Sequence, residues 1–123
     1  MPKVHRLTEA KDFVSTRREG QAWSDEYIVL VVKTNGLDIS RVGYSVGRRL
    51  GNAVVRNKTK RRLREVVRHV PIQEGWDFIL IARKYASSAD YHSFGRSVMS
   101  LVRRAGILSA APRRADFSTQ VDQ

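Results

Sequence analysis

The 123-residue sequence contains no cysteine, which removes disulfides and thiolate metal sites and suits a reducing compartment. No long apolar run occurs either: the longest, residues 27–32, is far too short to cross a bilayer. The basic opening Met1-Pro2-Lys3-Val4-His5-Arg6 leads into no apolar stretch, so no secretory signal is expected there. Internal repeats and low-complexity segments are missing. Carboxylates are few and scattered, 12 against 23 Lys and Arg, with Asp25-Glu26 the only adjacent pair. Neighbours on a strand point to opposite faces, so these two are not expected to share a metal. His5, His69 and His92 match no metal-ligand or triad spacing. A self-sufficient nuclease needs clustered carboxylates for metal or a placed general base, and the sequence offers neither.

What the chain has in excess is positive charge, a formal +11, and it is concentrated. Between Ile39 and Arg64 no Asp or Glu occurs, while Arg41, Arg48, Arg49, Arg56, Lys58, Lys60, Arg61, Arg62 and Arg64 do. A solvated helix face normally mixes signs and gains from i,i+4 pairs. A block of one sign repels itself and is tolerable when phosphates neutralise it, so a polyanion, most simply nucleic acid, is the expected partner.

The periodicity places that block on a helix. Residues 52–70 carry Thr59, Leu63, Val66, Val67 and Val70 at helical spacing, a stripe for packing on a sheet. At about 100° per residue, Asn57, Lys60, Arg61, Arg64 and Arg68 fall beside that stripe, with Lys58 and Arg62 on its other flank. Asn52 is a good N-cap, and Gly43, Gly47 and Gly51 surround the Arg48-Arg49 pair ahead of it. Gly43 falls inside a strand, where it can mark a bulge. The glycine spacing is neither a Walker loop nor a dinucleotide fingerprint.

Elsewhere, Thr8 is positioned to cap a helix over 9–18 whose inner side is Leu7, Ala10, Phe13 and Val14. Residues 27–32 read as a buried strand, Asn35-Gly36 as a turn, and 39–46 as a second strand antiparallel to the first. A short edge strand is expected near Ala22-Trp23. Residues 76–82 form another strand, and 90–105 a last helix with Phe94, Val98, Leu101 and Val102 inward and Gly106 as its stop. The class is α+β, a two-layer α/β sandwich in the order α-β-β-β-α-β-α, with one domain over 1–108 and a flexible polar tail over 109–123. The strand–helix–strand unit over 41–82 suggests parallel pairing, which general rules make right-handed.

The run Val42-Gly-Tyr-Ser-Val-Gly-Arg-Arg-Leu-Gly-Asn-Ala-Val-Val-Arg-Asn-Lys-Thr-Lys-Arg-Arg-Leu-Arg-Glu65 closely resembles the signature of the bacterial ribonuclease P protein. Arg6-Leu7, Asp12-Phe13, Gly20 and the segment from Asp77 to Arg83 resemble that family too. The resemblance implies a left-handed β-α-β crossover, contrary to the general rule. It implies an RNA-binding subunit of an endoribonuclease that removes the 5′ leader of precursor tRNA. Its partners would be the catalytic RNA and precursor tRNA, with hydrolysis and Mg²⁺ belonging to the RNA. It also implies a cytoplasmic location, with no membrane and no DNA involved. Carried over by position, Arg48, Arg49, Asn52, Arg56, Asn57, Lys58, Lys60, Arg61, Arg64 and Arg68 face the RNA, and no catalytic residue lies in the protein. Phe13, Arg17, Leu30 and Ser45 belong to the leader cleft. Three positions depart from the family: Lys58 where Arg is usual, Arg17 where many members carry a second aromatic, and Leu30 where some have an aromatic. Leader contacts here therefore rest less on stacking and more on charge. A ribosomal protein or RNA chaperone of similar fold is the alternative binding role; a helix-turn-helix DNA reader fits poorly with the strands around the basic helix.

Overall fold

The computed structural model describes residues 4–109. The elements are β1 (His5–Arg6), α1 (Ala10–Glu19), β2 (Gln21–Ser24), β3 (Ile28–Thr34), β4 (Arg41–Ser45), α2 (Ala53–Val67), β5 (Trp76–Ala82) and α3 (Tyr91–Ala105), with 3₁₀ turns at Arg48–Leu50 and Lys84–Ser88. They build one mixed five-stranded sheet in the order β1-β4-β5-β3-β2. The tail expected over 109–123 lies, apart from Ser109, outside the described residues.

β3 is apolar from Ile28 to Val32 because both of its faces are covered there. Ile28, Leu30 and Val32 point into the main core with Leu63, Val66, Phe78, Leu80, Phe94, Val98 and Leu101. Val31 points the other way, into a small cluster with Leu7 and Ile79 beneath α1, and Val29 packs on that cluster. The sheet and the α2–α3 layer make the expected sandwich, and α1 lies across the opposite face.

β4 runs antiparallel to β3, as the Asn35-Gly36 turn suggests, but the two are not neighbours. β5 lies between them, antiparallel to β3 from Ile28↔Ala82 to Thr34↔Trp76 and parallel to β4 from Arg41↔Asp77 to Ser45↔Ile81. The turn leaves room for it: the Asn35 N–H donates to the Gly75 carbonyl at 2.9 Å, so the entry to β5 fills the hairpin slot.

The hand of the β4-α2-β5 crossover follows from the chirality of Val42. Viewed from the α2 side with β4 running upward, an L-residue facing the viewer turns its N–H and C=O to the right. Val42 faces that side, and its carbonyl accepts from the Leu7 N–H of the β1 edge at 2.9 Å. β1 therefore lies to the right of β4 and β5 to the left, which makes the crossover left-handed. With β1 already on the right-hand edge, the left was the one edge open to β5.

The helices start and stop largely for the expected reasons. The Asn52 side chain accepts from the Val55 N–H and the Asp90 side chain from the Ser93 N–H, while Gly106 ends α3 at φ 79°. α2 is shorter than its pattern, ending at Val67, with Val70 buried just beyond. α1 departs most. Glu9, not Thr8, stands at its N-cap with no side-chain bond. Its inner side carries Phe13 and buried Thr16, whereas Val14 is 52% exposed. The inward positions are set by the short arc that fits the sheet, and the apolar pattern of so short a helix is too sparse to define it.

Candidate nucleic-acid interface

The acid-free block does not act as one unit. Arg41 turns to the α1 face and is neutralised: its Nε and Nη2 donate to the two oxygens of buried Asp77 at 2.8 and 2.7 Å, and its Nη1 to Asp12 at 3.4 Å. Asn35 Nδ2 adds a bond to Asp77 at 2.8 Å. The Arg41 guanidinium is held above its ordinary pKa, first by its bond to Asp77, although burial opposes this. On α2, Arg62 Nη1 donates to the Ala89 carbonyl at 3.1 Å, and Arg68 pairs with Glu65 at 3.0 Å.

The remaining cations have no carboxylate partner among the described residues. Arg48, Arg49, Lys58, Arg61 and Arg64 are exposed alongside Asn52 and Asn57, and Lys60 and Arg56 are half-buried. Arg56 Nε is buried with no hydrogen-bond partner, a donor still to be satisfied. The turn before α2 depends on Gly51, whose φ of 137° disfavours any side chain.

Beside α2 runs a groove of about 560 Å³ between that helix and the β1–β4 edge. Arg6, Arg61, Arg64 and Arg68 rim it, and Val42, Tyr44 and Val67 are among its apolar lining. Among the described residues Glu65 is the one carboxylate of that lining, and it is already engaged with Arg68 and His69. Burial pushes the Tyr44 hydroxyl up to about 12, against the opposing pull of Arg64 and Arg6, so it stays a neutral donor at physiological pH. An apolar floor under guanidinium walls can seat a base or ribose while the rim binds phosphates.

The second cluster lies on the other face. The half-buried Phe13 ring sits on Gly43: a Cβ there would meet Phe13 Cε2 at 2.8 Å. Gly43 is thus a seat for an aromatic ring and marks no bulge. Ser45, two residues along β4, shares that face and pairs in register with Ile81. Arg17, one turn after Phe13, is exposed. Leu30 is a correction: it is fully buried in the core on the α2 side, so it is a packing residue and not part of the cleft. The period of two leaves a strand buried on both faces without a marker for which residue faces which side.

Arg6 and Tyr44 are groove residues that the motif block alone does not single out. The alternation Val4, Arg6 on one face and His5, Leu7 on the other was the available signal, too short to stand out. Asp25 is structural: it accepts from the Tyr27 and Ile28 N–H groups at 2.9 and 3.0 Å and from the Ser97 hydroxyl. Among the described residues no three His, Asp or Glu gather as a metal site, and no helix is long and apolar enough to cross a membrane.

Three comparisons bear on these surfaces. The sequence profile of the Ribonuclease P family matches residues 1–106. The ribonuclease P protein component of Natranaerobius thermophilus is 41% identical over 110 residues, spanning 88% of this chain and 96% of the relative. That of Roseiflexus castenholzii is 37% identical over 114 residues, spanning 90% and 93%. Among solved structures, the Staphylococcus aureus RNase P protein superposes with a TM-score of 0.75 at 29% identity, over 87% of this chain and all of that one (100%). The Thermotoga maritima protein gives 0.72 at 34% identity, over 81% and 96%.

Proposed function

Since the chain belongs to the ribonuclease P protein family and is a protein component of tRNA processing, we propose that α2 and its groove hold the catalytic RNA subunit while Phe13 steadies the 5′ leader of precursor tRNA. The observation that carries this reading is the sorting of the cations. Arg41 is neutralised inside, while Arg48, Arg49, Lys58, Arg61 and Arg64 stand outside without carboxylate partners among the described residues. Those charges replace counterions along a phosphate backbone. Asn52, Asn57, Lys60, Arg56 and the rim residue Arg68 complete the surface. On the other face, the half-buried Phe13 ring offers its open side to a base, on the same face of the sheet as Ser45 and one helical turn from Arg17.

In this reading hydrolysis of the phosphodiester bond, and the Mg²⁺ that serves it, belong to the RNA. The protein positions both RNAs and lowers the electrostatic cost of bringing them together, in the cytoplasm where tRNA is matured. Reconstitution with the cognate catalytic RNA and labelled precursor tRNA at low Mg²⁺ tests it. Cleavage at the leader junction is expected with both components present and not with the protein alone. Salt-sensitive RNA binding with no stimulation of cleavage would replace this reading with that of an RNA chaperone.

A further inference from the structure

Among the described residues, one exposed large aromatic remains outside both surfaces. Tyr85 is 63% exposed in the 3₁₀ turn Lys84–Ser88, and its hydroxyl has no hydrogen-bond partner among the described residues. Its backbone is nevertheless fixed. The Tyr85 carbonyl accepts from Ser88 Oγ at 2.8 Å, Ala86 on the turn and Ala89 just beyond it are buried in the main core, and the Ala86 N–H closes the turn on the Arg83 carbonyl at 2.9 Å. A ring carried on a rigid turn loses little freedom when something stacks on it. The Lys84 ammonium lies 5.5 Å from the ring centroid.

The position of this turn decides what that something is. It follows the end of β5, as the 3₁₀ turn Arg48–Leu50 follows the end of the parallel strand β4, and the two turns pack together. Between them and the start of α2 is a hollow of about 390 Å³ whose lining includes Lys58, Arg62 and Ser87. Among the described residues its one carboxylate, Asp90, is occupied as the cap of α3. Tyr85 thus follows the same end of the sheet as Arg48 and Arg49, the end at which Ser45 of the Phe13 face pairs with Ile81. A single ring among Arg and Lys is a poor protein interface, which is depleted of Lys and needs more apolar area. It is a good platform for a base whose phosphates the cations can reach.

We propose that Tyr85 is a base-stacking residue for unpaired RNA, with Lys84 contacting the adjoining phosphate, and that it joins the cleft to the basic surface of α2. The proposal rests on the RNA-binding reading above.

The test uses the full chain and a short unpaired oligoribonucleotide carrying a fluorescent adenine analogue. Tyr85→Ala should weaken binding between about fivefold and a hundredfold, abolish the stacking quench, and leave the salt dependence unchanged. Tyr85→Phe should behave as the parent, because the ring suffices. Lys84→Ala should flatten the log–log salt slope by roughly 0.7, the value for one phosphate. Parent-like affinity in Tyr85→Ala, alongside weakened binding by an Arg61→Ala/Arg64→Ala variant, would overturn the stacking role and leave the RNA reading standing. If neither variant loses affinity, both fall. If Tyr85→Ala alters sedimentation but not RNA affinity, the ring serves a protein interface and the proposal is wrong.

Discussion

The two faces of the sheet are held by different physics. On the α2–α3 side, a continuous apolar core includes fully buried Phe78, Leu80, Leu63, Phe94 and Leu101. On the α1 side the buried apolar cluster, among the described residues, is just Leu7, Val31 and Ile79, with Phe13, Val29 and Ile81 around them. There α1 is tied down by charge: Arg41 links Asp77 of the sheet to Asp12 of the helix, and Lys33 reaches Glu19 and Ser15 at 2.8 and 2.7 Å. Glu19 is held below the usual carboxylate range first by its bond to Lys33. The thick face supplies stability, and the outer surface of α2 on that side carries the exposed cations. The thin face leaves the apolar side chains of Phe13, Val29 and Ile81 half open.

The sharpest contrast is expected from two phenylalanines. Phe78→Ala should cost about 3–5 kcal/mol in urea unfolding, whereas half-buried Phe13→Ala should cost about 1–2 kcal/mol and weaken leader binding instead. Equal stability losses would erase the distinction between the faces. Next, Arg41→Ala strands a nearly buried Asp77 carboxylate and should cost about 3 kcal/mol. The loss should be recovered in part by Arg41→Ala combined with Asp77→Asn; no recovery would show that the charge pairing is not what fixes α1. Smaller in stability is Arg61→Ala with Arg64→Ala, each within about 0.5 kcal/mol. Titrations of the RNA subunit should nonetheless show a slope flatter by roughly 0.7–0.9 for each phosphate no longer neutralised.

The smallest effect is silent at neutral pH. Tyr44 keeps its proton to about 12 when folded, against 10.0 for an ordinary tyrosine. Its contribution is therefore complete below pH 10 and is lost as pH rises through about 12, since the unfolded chain releases the proton first. Tyr44→Phe should lose less stability across that window than the parent; identical curves would place the hydroxyl in water.

Much of this was legible in one dimension. The β3 run, the Thr59–Leu63–Val66 stripe and the inward positions of α3 are local patterns, and the cation block is visible by eye. The motif resemblance, not the general rule, anticipated the left-handed crossover. What stayed hidden depends on distant partners. Arg41 reads like its neighbours until Asp77, 36 residues on, claims it. β5's place between β3 and β4 is a pairing choice no local signal encodes, and β1 has two residues. Leu30 was misassigned because a run with no polar residues carries no label for its two sides.

One sheet stands between the arginine groove and the Phe13 seat. In the proposed reading, RNA segments held at these two places would be kept apart by a septum of hydrogen-bonded backbone. Their spacing is then a dimension of the protein, insensitive to salt even where each grip is salt-sensitive. In this sense the chain is a gauge block, and a change that thinned or buckled the sheet would shift where two RNAs meet while leaving both grips intact.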